Sequence, residues 1–213
     1  MIGPSSSHTA GAVRMGRVAW KILGEEALKA DITLTGSFAA TYKGHGTDKA
    51  LIAGILGMKP DDERIPHSLF IAKERGLTYD FKQKKLPNAH PNTAILDLIG
   101  ENGARCTVEG ASIGGGSIQI TKLNGMTAVF NGSTDTLIVA HNDRAGAIAA
   151  VTDKLAQFDV NIGSFHLSRP KRNELAIMTI ELDSSIEKEV VNELRELANI
   201  VSVVYMHPEN SSQ

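Results

Sequence analysis

The chain has a single cysteine in 213 residues, Cys106. One thiol closes no internal disulfide, completes no four-cysteine zinc site and cannot hold an iron–sulfur cluster, which takes several thiolates. Any such centre would be ligated mostly by another chain. Cys106 stands in a strand-like run, Ala104-Arg105-Cys106-Thr107-Val108, and reads as a buried structural thiol. Excess charge is also lacking: 22 Lys and Arg face 24 Asp and Glu, for a formal net charge of −2. A nucleic-acid-binding face needs surplus positive charge to displace counterions, so no nucleic-acid partner is expected. No run approaches the roughly 20 apolar residues of a membrane-spanning helix. No charged segment followed by an apolar stretch opens the chain. The expectation is a cytoplasmic protein with no membrane partner. The usual nucleotide fingerprints, G-x-x-x-x-G-K-[ST] and G-x-G-x-x-G, are missing as well.

What remains is the composition of an ordinary globular chain, 42% hydrophobic and 22% charged, long enough for one large domain or two small ones. The last third has a regular grammar. Thr136 to Ala140 reads as a strand. Ala145 to Phe158 carries Ile148, Val151, Leu155 and Phe158 at helical spacing. Val160 to Leu167 alternates like a strand, a polar turn with Pro170 follows, and Leu175 to Leu182 is a second alternating run. Ser184 and Ser185 are cap candidates before a helix bearing Ile186, Val190, Leu194 and Leu197, and Ile200 to Met206 closes as a strand. This order, β-α-β-β-α-β, is the ferredoxin-like split unit.

The first part reads as α+β with a mostly antiparallel end. A helix is expected from Ala10 to Leu23, with Gly24 as its stop, then a strand from Ala30 to Gly36. Thr47 is a candidate N-cap and Asp48 adds favourable charge to the first turn of a helix ending near Gly57. Pro66 opens another helix to about Arg75. Strand character then fills 77–82, 93–99, 104–112, 117–123 and 126–130, with turn signals at 101–103 and 124–125. The boundary is placed at Gly132/Ser133, giving domains 1–132 and 133–213. Charge divides nearby too: residues 1–134 hold 15 Lys and Arg against 12 Asp and Glu, and residues 135–213 hold 7 against 12.

Several clusters look chemical. Ser5-Ser6-Ser7-His8-Thr9 runs directly into the first helix, where free backbone N–H groups add to the side-chain donors; the string suits a carboxylate or phosphate, or else caps the helix. In Tyr42-Lys43-Gly44-His45-Gly46-Thr47-Asp48 two glycines bracket His45, which could serve as a base or proton carrier, or be structural. His90-Pro91-Asn92-Thr93 is a rigid polar turn whose Asn92 could orient a carboxylate or hydroxyl. Gly114-Gly115-Gly116 suggests a tight bend or a pocket lining. In the C-terminal unit, Asn142-Asp143-Arg144-Ala145-Gly146 links strand to helix; Gly146 leaves room for a ligand, while Asp143 could simply cap the helix.

The strings Ser5-Ser6-Ser7-His8-Thr9, Gly44-His45-Gly46-Thr47-Asp48 and His90-Pro91-Asn92-Thr93 resemble the beta chain of the iron–sulfur-dependent L-serine dehydratases. The β-α-β-β-α-β unit, with Asp143 and Gly146 in its first loop, resembles an ACT domain. The likeness covers essentially the whole chain, and the first domain's fold is shared by the allosteric substrate-binding domain of some phosphoglycerate dehydrogenases. The resemblance implies deamination of L-serine to pyruvate and ammonia, without pyridoxal phosphate. It implies a [4Fe–4S] cluster ligated by an alpha chain, with no metal held on this one. The implied catalytic candidates are His8, His45 and Asp48. Substrate binding falls to Ser5, Ser6, Ser7, Thr9, Lys43 and Asn92, and a regulatory ligand to Asn142, Asp143 and Gly146. An ACT-mediated homodimer is a further expectation. Chains of that family carry a longer segment ahead of the serine string, which would help cover the site; this one begins at Met1, almost inside the string. Two other readings stand beside it. One is a non-catalytic amino-acid sensor built on the ACT module. The other is the regulatory half of a phosphoglycerate dehydrogenase, against which the missing nucleotide fingerprint counts.

Overall fold

The computed structural model describes residues 7–208, with side chains from Thr9 onward. The chain divides into two compact units, residues 1–125 and 126–213.

The first unit opens on a π-helical turn, Ser7–Gly11, that runs into helix α1 (Ala12–Leu23). The helix stops as expected: Gly24 takes φ 76° and returns its N–H to the Trp20 carbonyl at 3.0 Å. Strand β1 (Ala27–Leu34) begins earlier than the apolar pattern suggested and ends sooner. The chain turns at Thr35 into a short helix α2 (Gly36–Thr41) that the pattern did not announce. Helix α3 (Thr47–Ile55), a 3₁₀ turn over Ile65–His67, and α4 (Ser68–Glu74) follow. Strands β2 (Thr78–Gln83), β3 (Thr93–Gly100), β4 (Arg105–Gly114) and β5 (Ser117–Leu123) complete the unit.

Its strands lie in the order β2-β1-β3-β4-β5. The β1–β2 pair is parallel; β1–β3, β3–β4 and β4–β5 are antiparallel, so the sheet is mostly antiparallel as anticipated. Helix α1 packs on α3 and on β4. Alternate residues of the strands supply the floor, with Ile32, Leu34, Leu96 and Val108 fully buried. Cys106 is buried among them. Its Sγ donates to the Ala19 carbonyl at 3.6 Å, and burial pushes the thiol up to about 12. It is the inert structural thiol the sequence suggested.

The second unit starts with β6 (Met126–Phe130), which packs against two of the strands that follow. Then come β7 (Asp135–Asn142), α5 (Ala147–Gln157), β8 (Ile162–Ser168), β9 (Leu175–Leu182), α6 (Lys188–Arg195) and β10 (Ile200–Met206). The sheet order is β10-β7-β9-β8, all antiparallel, which is the ferredoxin-like arrangement. The fold class is thus α+β throughout. Both helices cover one face. Val151 and Leu155 of α5, and Val190 and Leu194 of α6, close over Leu137, Val139, Met178 and Ile180.

Two expected caps are corrected. Thr47 is not an N-cap: Gly46, at φ 71°, holds that place, and Thr47 is the first helical residue with its side chain fully buried. Ser184 and Ser185 do not cap α6, whose N-cap is Glu187 in extended conformation. Among the described residues no helix is long and apolar enough to cross a membrane.

Candidate functional site

The site of interest gathers where α1 begins. The π-helical turn 7–11 packs against α3 and against β4 and β5. That contact brings the turn Ser7–Gly11 to the helix that the Gly-His-Gly-Thr-Asp loop leads into, and to two strands of the sheet. Ser5 and Ser6 lie outside the described residues. Ser7 and His8 are described by their backbone in the turn. Thr9 is 5% exposed, and its Oγ1 has no hydrogen-bond partner among the described residues.

At Gly11 the turn lies directly on Ser112 of β4: a Cβ there would overlap the Ser112 Oγ. Ser112 is in turn tied to the His90-Pro91-Asn92 turn. Asn92 Nδ2 donates to the Ser112 carbonyl at 3.3 Å, and the Ser112 N–H donates to the Asn92 carbonyl at 3.1 Å. The Asn92 N–H donates to His90 Nδ1 at 3.1 Å. The Asn92 amide therefore positions β4. Pro91 meets the start of α2, where the Phe38 N–H donates to its carbonyl at 3.3 Å.

The histidine loop is held by its own backbone. The His45 N–H donates to the Thr41 carbonyl at 2.9 Å and the Thr47 N–H to the Tyr42 carbonyl at 2.8 Å. His45 is half-buried. Asp48 is buried in the first turn of α3, and its Oδ1 accepts from the Lys49 N–H at 2.8 Å. Burial pushes its carboxyl above the ordinary value, against that hydrogen bond and the charges of Lys49 and Lys43. Lys43 is exposed, with Nζ 5.7 Å from the centre of the Tyr42 ring, which stacks on Phe81 at 5.5 Å. The three glycines 114–116 form the β4–β5 turn, all at positive φ, and the Gly116 carbonyl accepts from Arg14 Nη1 at 2.7 Å. The bend that the glycines suggested is there, and it is pinned beside the start of α1.

In the second unit, Asp143 is not a helix cap. The N-cap of α5 is Gly146 at φ 88°, with no side-chain bond. The Asp143 carboxylate instead accepts from the Asn173 N–H at 2.9 Å and from Arg169 Nη1 at 3.3 Å. The Asn173 bond first, then Arg169, holds it below the usual range. It clamps the β7–α5 loop to the β8–β9 turn. Asn142 is exposed, and a Cβ on Gly146 would meet nothing within 4 Å, so the space expected beside it is open.

Sequence reasoning passed over Ser112 and His141. Ser112 was hidden as one more small residue in an alternating strand. His141 is 1% exposed at the end of β7; its Nδ1 lies 3.0 Å from the Asn142 carbonyl and its Nε2 has no partner among the described residues. The available signal was a polar residue at an inward position of each strand.

The described residues contain no group of three or more His, Cys, Asp or Glu able to hold a metal. With Cys106 buried, protonated and bonded to Ala19, the described residues do not fit an iron–sulfur cluster.

Comparison with known proteins gives the family. The chain is 45% identical over 203 residues to the probable L-serine dehydratase beta chain of Bacillus subtilis, covering 95% of this chain and 92% of that one. It belongs to the L-serine dehydratase beta-chain family. The L-serine dehydratase beta chain of Peptoniphilus asaccharolyticus is 37% identical over 97% of this chain and 93% of its own. The description "Serine dehydratase beta chain" matches residues 1–74, which contain the Ser5–Thr9 and Gly44–Asp48 strings but not His90–Thr93, and "ACT domain" matches residues 135–199. The D-3-phosphoglycerate dehydrogenase of B. subtilis is 28% identical over 73% of this chain but only 30% of its own length.

Proposed function

We propose that this chain is the substrate-handling half of an L-serine ammonia-lyase, inactive alone and completed by a cysteine-rich alpha chain that ligates a [4Fe–4S] cluster. One observation supports it above the others. The turn Ser7–Gly11 packs against α3, which carries Asp48 just after the His45 loop, and against β4, which carries Ser112 bonded to Asn92; these come from three distant stretches of sequence in one unit.

The reaction removes the α-proton of serine, expels its hydroxyl and leaves aminoacrylate. The latter becomes an imine and takes up water to give pyruvate and ammonia. Holding the carboxylate is the task we give to Ser5, Ser6, Ser7 and Thr9 at the start of α1, where helix N–H groups favour an anion. Proton transfer falls to His8, His45 or Asp48. A carboxyl raised by burial is a stronger proton acceptor than an ordinary one, which keeps Asp48 among the candidates. Lys43 and Asn92 orient substrate from the rim. Departure of the hydroxyl is the alpha chain's part. Domain 1–132 carries this chemistry, and domain 133–213, the ACT domain, takes an amino-acid ligand at Asn142, Asp143 and Gly146. Its β8 edge, where Phe165 and Leu167 are 39% and 37% exposed, serves a homodimer.

The test is a pair of substitutions in the assembled enzyme. His45→Ala lowers kcat by ~100-fold or more, the scale of a lost acid–base group. Ser6→Ala chiefly raises KM. A near-normal kcat for His45→Ala removes that residue from the chemistry. The non-catalytic sensor reading would be favoured instead by tight serine binding with no partner-dependent turnover.

A further inference from the structure

Three buried hydroxyls around the start of α1 have no hydrogen-bond partner among the described residues: Thr9 Oγ1, Thr47 Oγ1 and Ser112 Oγ. Thr47 and Ser112 are fully buried and Thr9 is 5% exposed. Orphaned buried polar atoms are few in native interiors, because a desolvated group without a partner is costly. Two other buried hydroxyls of the same unit are satisfied. Ser68 Oγ donates to the Lys49 carbonyl at 2.7 Å, and Thr35 Oγ1 accepts from the Leu86 N–H at 3.2 Å.

The three orphans come from three elements, the π-helical turn, α3 and β4, and the turn packs against both of the others. Gly11 lets the turn come down onto Ser112, and Asn92 fixes the height of Ser112 through two hydrogen bonds. The Thr47 hydroxyl does not cap α3, whose N-cap is Gly46 with no side-chain cap bond. Each hydroxyl brings one O–H donor, and a carboxylate, which accepts only and at about four lone-pair directions, suits several such donors. The start of a helix favours an anion over an ammonium.

We infer that Thr47 and Ser112 join Thr9 in a hydroxyl pocket that receives the α-carboxylate of a small amino-acid substrate, an assignment that rests on the serine-deaminating function proposed above. These are binding residues. Their loss weakens the hold on substrate and leaves the proton transfer in place.

The experiment uses the enzyme assembled with its cysteine-rich partner for kinetics, and the full chain for stability and binding. The variants are Ser112→Ala and Thr47→Val, which delete a hydroxyl without adding bulk. Expected is a rise in KM for L-serine of roughly 10- to 100-fold, the scale of one hydrogen bond to a charged group. kcat stays within about three-fold of the parent, since a group that binds ground and transition states alike moves KM alone. The melting temperature of the ligand-free chain does not fall, because an orphaned hydroxyl has been removed. An unchanged KM in both variants, with the parent enzyme fully active, overturns the pocket and leaves the lyase function standing. A lower melting temperature with unchanged KM also overturns it, by showing that the hydroxyls hold a structural water. If the parent assembly turns over no serine, the lyase function fails instead, and calorimetry of L-serine on the chain decides the pocket. Binding heat lost in Ser112→Ala supports it; heat unaltered by that change, or absent in the parent, overturns it.

Discussion

Gly54→Ala is the most informative structural perturbation. In an exposed helix this change would add about 1 kcal/mol of stability, because alanine is the better helix former. Here Gly54 of α3 faces Gly16 of α1 with nothing between their backbones. An added Cβ would lie 2.8 Å from the Arg17 nitrogen and from Gly16 Cα, and closer still to the Val13 carbonyl oxygen. Ordinary contact begins near 3.4 Å, so clearing the Val13 carbonyl oxygen means that α1 must retreat by roughly 1.3 Å. No side chain can yield, since every atom met is backbone. Overpacking costs about 1–3 kcal/mol, and a backbone clash sits at the upper end. Set against the helix gain, the net loss is about 2 kcal/mol. The lone tryptophan, Trp20 in α1, reports the event: it packs against Gly57 after α3 and lies 5.6 Å from the Arg17 guanidinium. Urea unfolding followed by Trp20 fluorescence should show an earlier transition for Gly54→Ala. Because α1 begins at the Thr9 turn and α3 at Thr47, the same retreat widens the candidate site and raises KM for L-serine in the assembled enzyme. Gly76→Ala is the control: it has open space for a Cβ and only its φ of 76° to strain, worth about 1–2 kcal/mol without touching the site. A Gly54→Ala chain as stable as its parent would refute the reasoning.

Two further outcomes follow from burial. Asp48 has its carboxyl raised by burial, so the stability linked to it is present below its unfolded value and lost as pH rises through the folded one. Asp48→Asn therefore raises the melting temperature at neutral pH, and the difference closes on acidification; the same change lowers serine turnover, and a variant no more stable at neutral pH would contradict the burial account. Cys106, buried and pushed up to about 12, stays unlabelled by thiol reagents at mildly alkaline pH and reacts on denaturation. Rapid labelling of the native chain would show that β4 opens.

Much of this was readable from residues alone, and the failures have local causes. The β-α-β-β-α-β order followed from long periodic segments, whose pattern survives small errors at the ends. Helix α2 was missed because six residues, Gly36–Thr41, are too few to show a period, and its place is set by contact with Pro91 from a distant turn. Thr47, Ser184 and Asp143 misled for one shared reason. Each is a good cap by type, yet the caps fell to Gly46, Glu187 and Gly146, whose backbones take the required conformations. The histidine strings stood out as candidates because serines, histidines and glycines cluster there. Ser112 did not, since its place against the turn depends on Gly11 and Asn92, 101 and 20 positions away.

The central claim is a divided active site, and an anaerobic pyruvate assay with L-serine tests it most directly. The chain alone, a cysteine-rich alpha chain alone, and the two mixed with iron and sulfide are compared. The account predicts pyruvate only from the mixture. Turnover by the pure chain, or silence in all three with an intact cluster, would contradict it.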